Sequence, residues 1–201
     1  MPTKTRYNRA NFLLSAPALE SLPPDTGAEV AFIGCSNVGK SSAINTITGI
    51  NGLARSSKTP GRTQMLNLFQ LDDSNRLVDL PGYGYAKVPL QLKERFQALI
   101  NDYLETRDCL KGLILLMDIR HPLKDSDEQL IRWALHCEVP LHVLLTKSDK
   151  LSQSAANEAL KQVTQELQSW APGATVQLFS SLEQTGLEQV YKTLDQWLPE
   201  Q

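Results

Sequence analysis

The sequence predicts an α/β fold in three layers, a six-stranded, mostly parallel sheet with one antiparallel strand and helices on both faces. Three observations carry that expectation. Short apolar runs alternate with longer segments of helical periodicity, as in chains that build parallel sheets. A glycine-rich loop joins the first apolar run to the first helix. A turn signal, Asp72-Asp73-Ser74-Asn75, separates two neighbouring strands and makes them an antiparallel hairpin.

Residues 1–27 lack strong periodicity and contain Pro17, Pro23, Pro24 and Gly27, so they read as an N-terminal extension lying across a single domain of residues 28–201. Lys4, Arg6 and Arg9 have no acidic neighbour before Glu20, which fits either an RNA-contacting arm or a solvated tail. Glu29 to Ile33 begins the sheet, and the helix after the glycine-rich loop ends near Gly49. Ile50 to Thr63 is polar and long for a loop, a length that goes with function or disorder. Met65 to Leu71 and Arg76 to Asp79 are the hairpin strands. A helix starts near Pro89 and places Leu92, Phe96, Leu99 and Tyr103 on one face.

Leu113 to Asp118 is the next strand, followed by a helix whose first turn is acidic at Asp125, Asp127 and Glu128. Leu141 to Leu145 is a strand, and Leu160, Val163, Leu167 and Trp170 recur at helical spacing until Pro172 and Gly173 stop them. Thr175 to Phe179 is the last strand. Thr185 with Glu188 forms a capping-box pattern before a final helix bearing Leu187, Val190, Tyr191, Leu194 and Trp197.

At 201 residues the chain is long enough for a substantial core. Its net charge of −2 and pI of about 5.9 make it no nucleic-acid binder by bulk charge, so any RNA contact rests on local patches. Cys35, Cys109 and Cys137 are odd in number and widely spaced, which argues against a disulfide framework and for a reducing cytoplasm. The apolar piece Phe12-Leu13-Leu14 is too short for a signal peptide, and no run reaches membrane-spanning length. His121, His136 and His142 have no metal-ligand spacing.

The chemistry centres on Gly34-Cys35-Ser36-Asn37-Val38-Gly39-Lys40-Ser41, with an apolar strand before it and Ser42 opening the helix behind. Glycines let successive backbone N–H groups converge on a phosphate, and the helix adds its positive end. Lys40 is placed to reach β- and γ-phosphates, and Ser41 offers a hydroxyl to Mg²⁺. Asp79, at a strand end, suits an acid that holds Mg²⁺ through water, and Gly82 supplies an N–H for the γ-phosphate. Thr146-Lys147-Ser148-Asp149 reads as a base pocket. A carboxylate accepts both the ring N–H and the exocyclic amine of guanine, a pair adenine does not offer. The Lys147 stem can lie along the base, and Ser180 and Ser181, after Phe179, would finish the pocket.

In this order the stretches GCSNVGKS, TPGRT, DLPG, TKSD and FSS resemble the five nucleotide motifs of the translation-factor-related P-loop GTPases. With the extension, the run Asp79 to Ala86 and the loop Ser56 to Gln64, the chain is similar over its whole length to the bacterial EngB family. That resemblance implies a G domain binding GTP or GDP with Mg²⁺. It also implies that Thr63 is the threonine of the first switch that coordinates Mg²⁺, with Thr59 as competitor, and that Gly61, Arg62, Gln64 and Met65 lie near the γ-phosphate. Asp79, Leu80, Pro81 and Gly82 would open the second switch. Assembly of the large ribosomal subunit and its rRNA, and normal cell division and septation, are the roles it implies.

Tyr83 stands where Ras-like GTPases place a water-orienting glutamine, so intrinsic hydrolysis is expected to be slow, about 10⁻⁴ to 10⁻² s⁻¹. Asn37 offers a remedy by holding K⁺ against the phosphates, the alternative being that its amide braces the loop. Arg55, Lys58 and Arg62 are candidates for rRNA contact or ordinary loop charges. The expected catalytic set is Lys40, Thr63, Gly82 and Asn37, in a cytoplasmic monomer. Two other readings compete: a non-catalytic GTP/GDP-binding module, and an ATP-dependent transferase, which Asp149 opposes.

Overall fold

The computed structural model describes residues 6–55, 65–84 and 89–200. Among them the elements in order are β1 Asn11–Ala16, β2 Ala28–Gly34, α1 Lys40–Thr48, β3 Leu66–Gln70, β4 Asn75–Asp79, α2 Leu90–Thr106, β5 Leu110–Asp118, α3 Asp125–His136, β6 Leu141–Thr146, α4 Gln153–Trp170, β7 Thr175–Leu178 and α5 Leu187–Trp197. They form one seven-stranded sheet in the order β1-β3-β4-β2-β5-β6-β7.

The strand count corrects the expectation of six. All six expected strands form, and the seventh is β1, which pairs antiparallel with β3 at the sheet edge. Its first three residues are exposed and its pairing is interrupted by a bulge between Phe12 and Leu14, so it shows no regular in-out alternation. The β3–β4 pair is antiparallel as expected, and β4, β2, β5, β6 and β7 run parallel. Asp72 sets the hairpin turn by accepting the backbone N–H groups of Ser74 and Asn75 at 3.0 and 2.8 Å.

The central strands are apolar on both faces because each face carries helices. Ala31 and Ile33 of β2 pack with Tyr103 of α2, Ile131 of α3 and Leu167 of α4. Val30 and Phe32, pointing the other way, pack with Ile44 and Ile47 of α1 and Val190 and Leu194 of α5. The helical spacing of Leu160, Val163, Leu167 and Trp170 is core-facing, with Val163 and Leu167 fully buried and the other two packed beside them.

One helix start differs from its expected form. No side-chain cap forms at α5; the helix instead begins from Gly186 at φ 84°, where a Cβ would lie 2.3 Å from the Leu178 carbonyl. Only glycine tolerates both that φ and that approach, so backbone geometry replaces the Thr185 and Glu188 capping box.

The N-terminal segment is tied to the far helix. Tyr7 stacks on Tyr191 at 5.3 Å and donates its hydroxyl to Asp195 Oδ1 at 2.6 Å. Arg6 donates to the Leu198 carbonyl, so this member of the basic N-terminal group is committed to the fold. Lys4 lies outside the described residues. His142 is buried, and Gln177 fixes its tautomer. The Gln177 amide N–H groups serve the Leu178 and Gly186 carbonyls, which leaves Oε1 to accept His142 Nε2–H at 2.9 Å. Burial holds the imidazole below its ordinary value, in keeping with a neutral structural histidine.

At the end of the sheet where β2 begins, Glu29 is completely buried among cations. Arg76 Nε and Arg107 Nη2 donate to Oε1, each at 2.8 Å, and the Tyr103 hydroxyl donates to Oε2 at 2.8 Å. Arg107 also reaches the Pro23 carbonyl, and Arg76 the Thr26 carbonyl, so one carboxylate ties the chain before β2 to α2 and β4.

Candidate functional site

The parallel strands deliver their carboxyl ends to one edge, where ligands of open α/β sheets bind. There β2 ends in Gly34, β4 in Asp79 and β6 in Thr146, while Asp149 sits in a one-turn 3₁₀ segment after β6. The loop between β2 and α1 turns through left-handed backbone at Asn37, φ 62°, and at Gly39, φ 100°. That path brings the free N–H groups of the first turn of α1 to a cavity of about 950 Å³.

Most of the phosphate-side residues anticipated from sequence line this cavity. Cys35, Ser36, Asn37, Gly39, Lys40, Ser41 and Ser42 do so from the loop and helix, Met65 from just before β3, Asp79, Leu80, Pro81 and Gly82 from the end of β4 and the residues after it, and Lys147 from the base side. Gly34 and Val38 are buried beneath it. Gly61, Arg62, Thr63 and Gln64, with the rival Thr59, lie outside the described residues, as do Lys58 and Tyr85 to Val88.

Lys40 and Asp79 form a nearly buried ion pair within the cavity wall. Lys147 bridges the two halves of the site. Its ammonium donates to the Asn37 carbonyl at 2.9 Å and to Asp118 Oδ2 at 3.0 Å. Thr146 adds a second stitch, donating its hydroxyl to the Val38 carbonyl at 2.8 Å. The phosphate loop and the base-side segment are therefore one braced unit.

Ser180 donates to Asp149 Oδ1 at 2.7 Å, so its hydroxyl orients the acid. Chiefly through that bond the Asp149 carboxyl is held below its ordinary value and stays ionised. Phe179 is a core residue whose carbonyl accepts the Ser148 N–H at 3.2 Å. The side-chain amide of Asn37 has no hydrogen-bond partner among the described residues, and the residue is exposed at the cavity.

Two acids escaped the sequence reading. Asp118, at the end of β5, holds Lys147 and also makes a fork with Arg120, at 2.9 and 2.7 Å. The Arg120 bond, followed by that of Lys147, keeps the Asp118 carboxyl well below the usual range. An acid closing a long apolar strand was the signal that would have found it. Asp127 reads in sequence as a helix-start acid, yet it also accepts the Tyr83 hydroxyl at 2.6 Å. Among the described residues no group of three or more His, Cys, Asp or Glu forms a metal cluster, and no helix is long and apolar enough to cross a membrane.

Residues 29–147 match the family model described as a 50S ribosome-binding GTPase. The chain is 58% identical over 191 residues to the probable GTP-binding protein EngB of Coxiella burnetii, spanning 95% of this chain and 93% of that one. It belongs to the EngB family of GTP-binding proteins. An Enterobacter EngB is 53% identical over 195 residues, spanning 97% of this chain and 94% of its own length. A crystal structure of a probable EngB superposes with a TM-score of 0.70 at 20% identity, covering 87% of this chain and all of that one. Era in complex with MgGDPNP and a segment of 16S ribosomal RNA superposes with a TM-score of 0.66 at 24% identity, covering 88% and 58% of the two chains. Those two likenesses establish the P-loop G-domain fold; the EngB family membership makes the protein a GTP-binding GTPase.

Proposed function

We propose that the cavity binds GTP and GDP with Mg²⁺, and that the protein is a slow, Mg²⁺-dependent GTPase switch acting in assembly of the large ribosomal subunit. The observation that carries this reading is the braced pair of half-sites. Lys40, Ser41, Asp79 and Gly82 supply phosphate-side chemistry, and Lys147, two residues before the base-side acid Asp149, bonds to the phosphate loop at Asn37.

In this reading Lys40 exchanges its bond with Asp79 for the β- and γ-phosphates when nucleotide enters. Ser41 and Asp79 are hard oxygen donors on one wall, which fits Mg²⁺. Bound Mg²⁺ would neutralise charge on the phosphates. Gly82 presents its N–H to the γ-phosphate, and Thr63 joins from the first switch. Asp149 accepts two hydrogen bonds from guanine. The side-chain amide of Asn37 has no hydrogen-bond partner among the described residues, which favours the K⁺ assignment over the bracing role.

The partner role draws on the 50S ribosome-binding description of the matching family model. It extends to cell division and septation through the family, in a cytoplasmic monomer. Arg9 and Arg55 are exposed candidates for rRNA contact, and Arg55 also lines the cavity.

Cosedimentation with large ribosomal subunits tests this. Binding is expected to be at least ~10-fold tighter with a non-hydrolysable GTP analogue than with GDP, and to weaken steeply with salt. Neutralising Arg9 and Arg55 should flatten the salt dependence. Equal binding in both nucleotide states would remove the switch from the account.

A further inference from the structure

Tyr83 occupies the position after Gly82 where a water-orienting glutamine is missing, and the structure gives it a different task. Its backbone is paired with the phosphate loop in both directions. The Tyr83 N–H donates to the Gly34 carbonyl at 3.3 Å, and the Ser36 N–H donates to the Tyr83 carbonyl at 2.9 Å. Its side chain does not line the large cavity that Gly82 lines. The phenol instead donates to Asp127 Oδ1 at 2.6 Å.

Asp127 is 2% exposed and fully engaged at the start of α3. The Cys35 thiol donates to the same Oδ1 at 3.5 Å, and the Lys124 N–H donates to Oδ2 at 3.0 Å. A buried carboxylate with three donors is a fixed point. Burial, then the Asp127 charge, pushes the Tyr83 phenol well above its ordinary value, so it remains a donor.

Gly82 therefore sits on a short span anchored at both ends. On one side Leu80 donates its N–H to the Phe32 carbonyl at 2.9 Å, and on the other Tyr83 is held by loop and helix. We propose that Tyr83 and Asp127 form a latch that positions the Gly82 N–H toward the γ-phosphate, making Tyr83 a positioning residue that sets the ratio of GTP to GDP affinity. The latch rests on the γ-phosphate reading of Gly82 given above. GDP lacks the group that Gly82 reads, so the latch acts on GTP alone.

Equilibrium titration of GDP and a non-hydrolysable GTP analogue against the full chain and the variants Tyr83→Phe, Asp127→Asn, their double and Gly82→Pro tests it. Gly82→Pro removes the N–H and reports on the underlying reading. The latch predicts that Tyr83→Phe and Asp127→Asn each reduce the GTP-to-GDP affinity ratio about tenfold, with GDP affinity held within about twofold, and that the double loses no more than either single. If Gly82→Pro lowers the ratio and neither latch variant does, the latch is overturned and the γ-phosphate reading survives. If Gly82→Pro leaves the ratio unchanged, the γ-phosphate reading falls and the latch with it. Equal losses of GDP and GTP affinity in Tyr83→Phe would make the contact a structural brace without nucleotide preference, which also overturns it.

Discussion

Replacing Asp149 with alanine is expected to lower affinity for GTP and GDP by about 10² to 10⁴-fold, the loss of two hydrogen bonds to a charged acceptor. The acid is ionised and held by Ser180, and it lies two residues after Lys147, which bonds to the phosphate loop. Asp149→Asn should do something more specific. An amide offers one acceptor and one donor, which mismatches guanine but complements the ring N–H and neighbouring carbonyl of xanthine. The Asn variant is therefore expected to prefer xanthosine triphosphate over GTP, measured by competition against a fluorescent nucleotide. Undiminished GTP binding by both variants would place the base somewhere else.

The second large effect is on stability. Glu29→Ala is expected to cost about 3–5 kcal/mol, because it leaves Arg76 and Arg107 without their buried acceptor. That corresponds to a fall of roughly 10 °C in Tm for a chain of this size. Glu29 lies near the start of β2, roughly 16 Å along the strand from Gly34, so GDP affinity measured below the lower Tm should be unaffected. The pH dependence has a definite sign. Burial pushes the Glu29 carboxyl up, but the bonds from Arg107, Tyr103 and Arg76 outweigh it and hold it below the ordinary value of 4.5. Its contribution is therefore complete above that value and is lost as pH falls through the lower folded one. Acid unfolding of the Ala variant should show a shallower pH dependence below about pH 4.5; identical slopes would show that Glu29 is not the group that titrates.

The fold was legible where burial made it so. β2, β5 and β6 are apolar on both faces, so length and composition sufficed to read them as strands. β1 was hidden because an edge strand needs only one covered face and tolerates Asn11, Phe12 and Leu13 in the open. Phosphate-side chemistry was equally plain, since Lys40, Ser41 and Asp79 are constrained by spacing along the chain. Glu29 and Asp127 were not, because the side chains they meet are remote in sequence. Asp127 meets Tyr83 and Cys35 only once α3 is packed beside the phosphate loop, and no local pattern encodes that neighbourhood.

GTP turnover by the purified protein, in K⁺ and in Na⁺, each with and without large ribosomal subunits, separates a ribosome-coupled GTPase from a binding module. Turnover near the ~10⁻⁴ to 10⁻² s⁻¹ of unassisted GTPases is expected for the protein alone. The subunits are expected to stimulate it markedly, and that stimulation to be lost when Na⁺ replaces K⁺ or when Asn37 becomes alanine. Tight GTP binding with no turnover under any of these conditions would contradict the ribosome-coupled GTPase, and would leave a nucleotide-dependent binding module in its place.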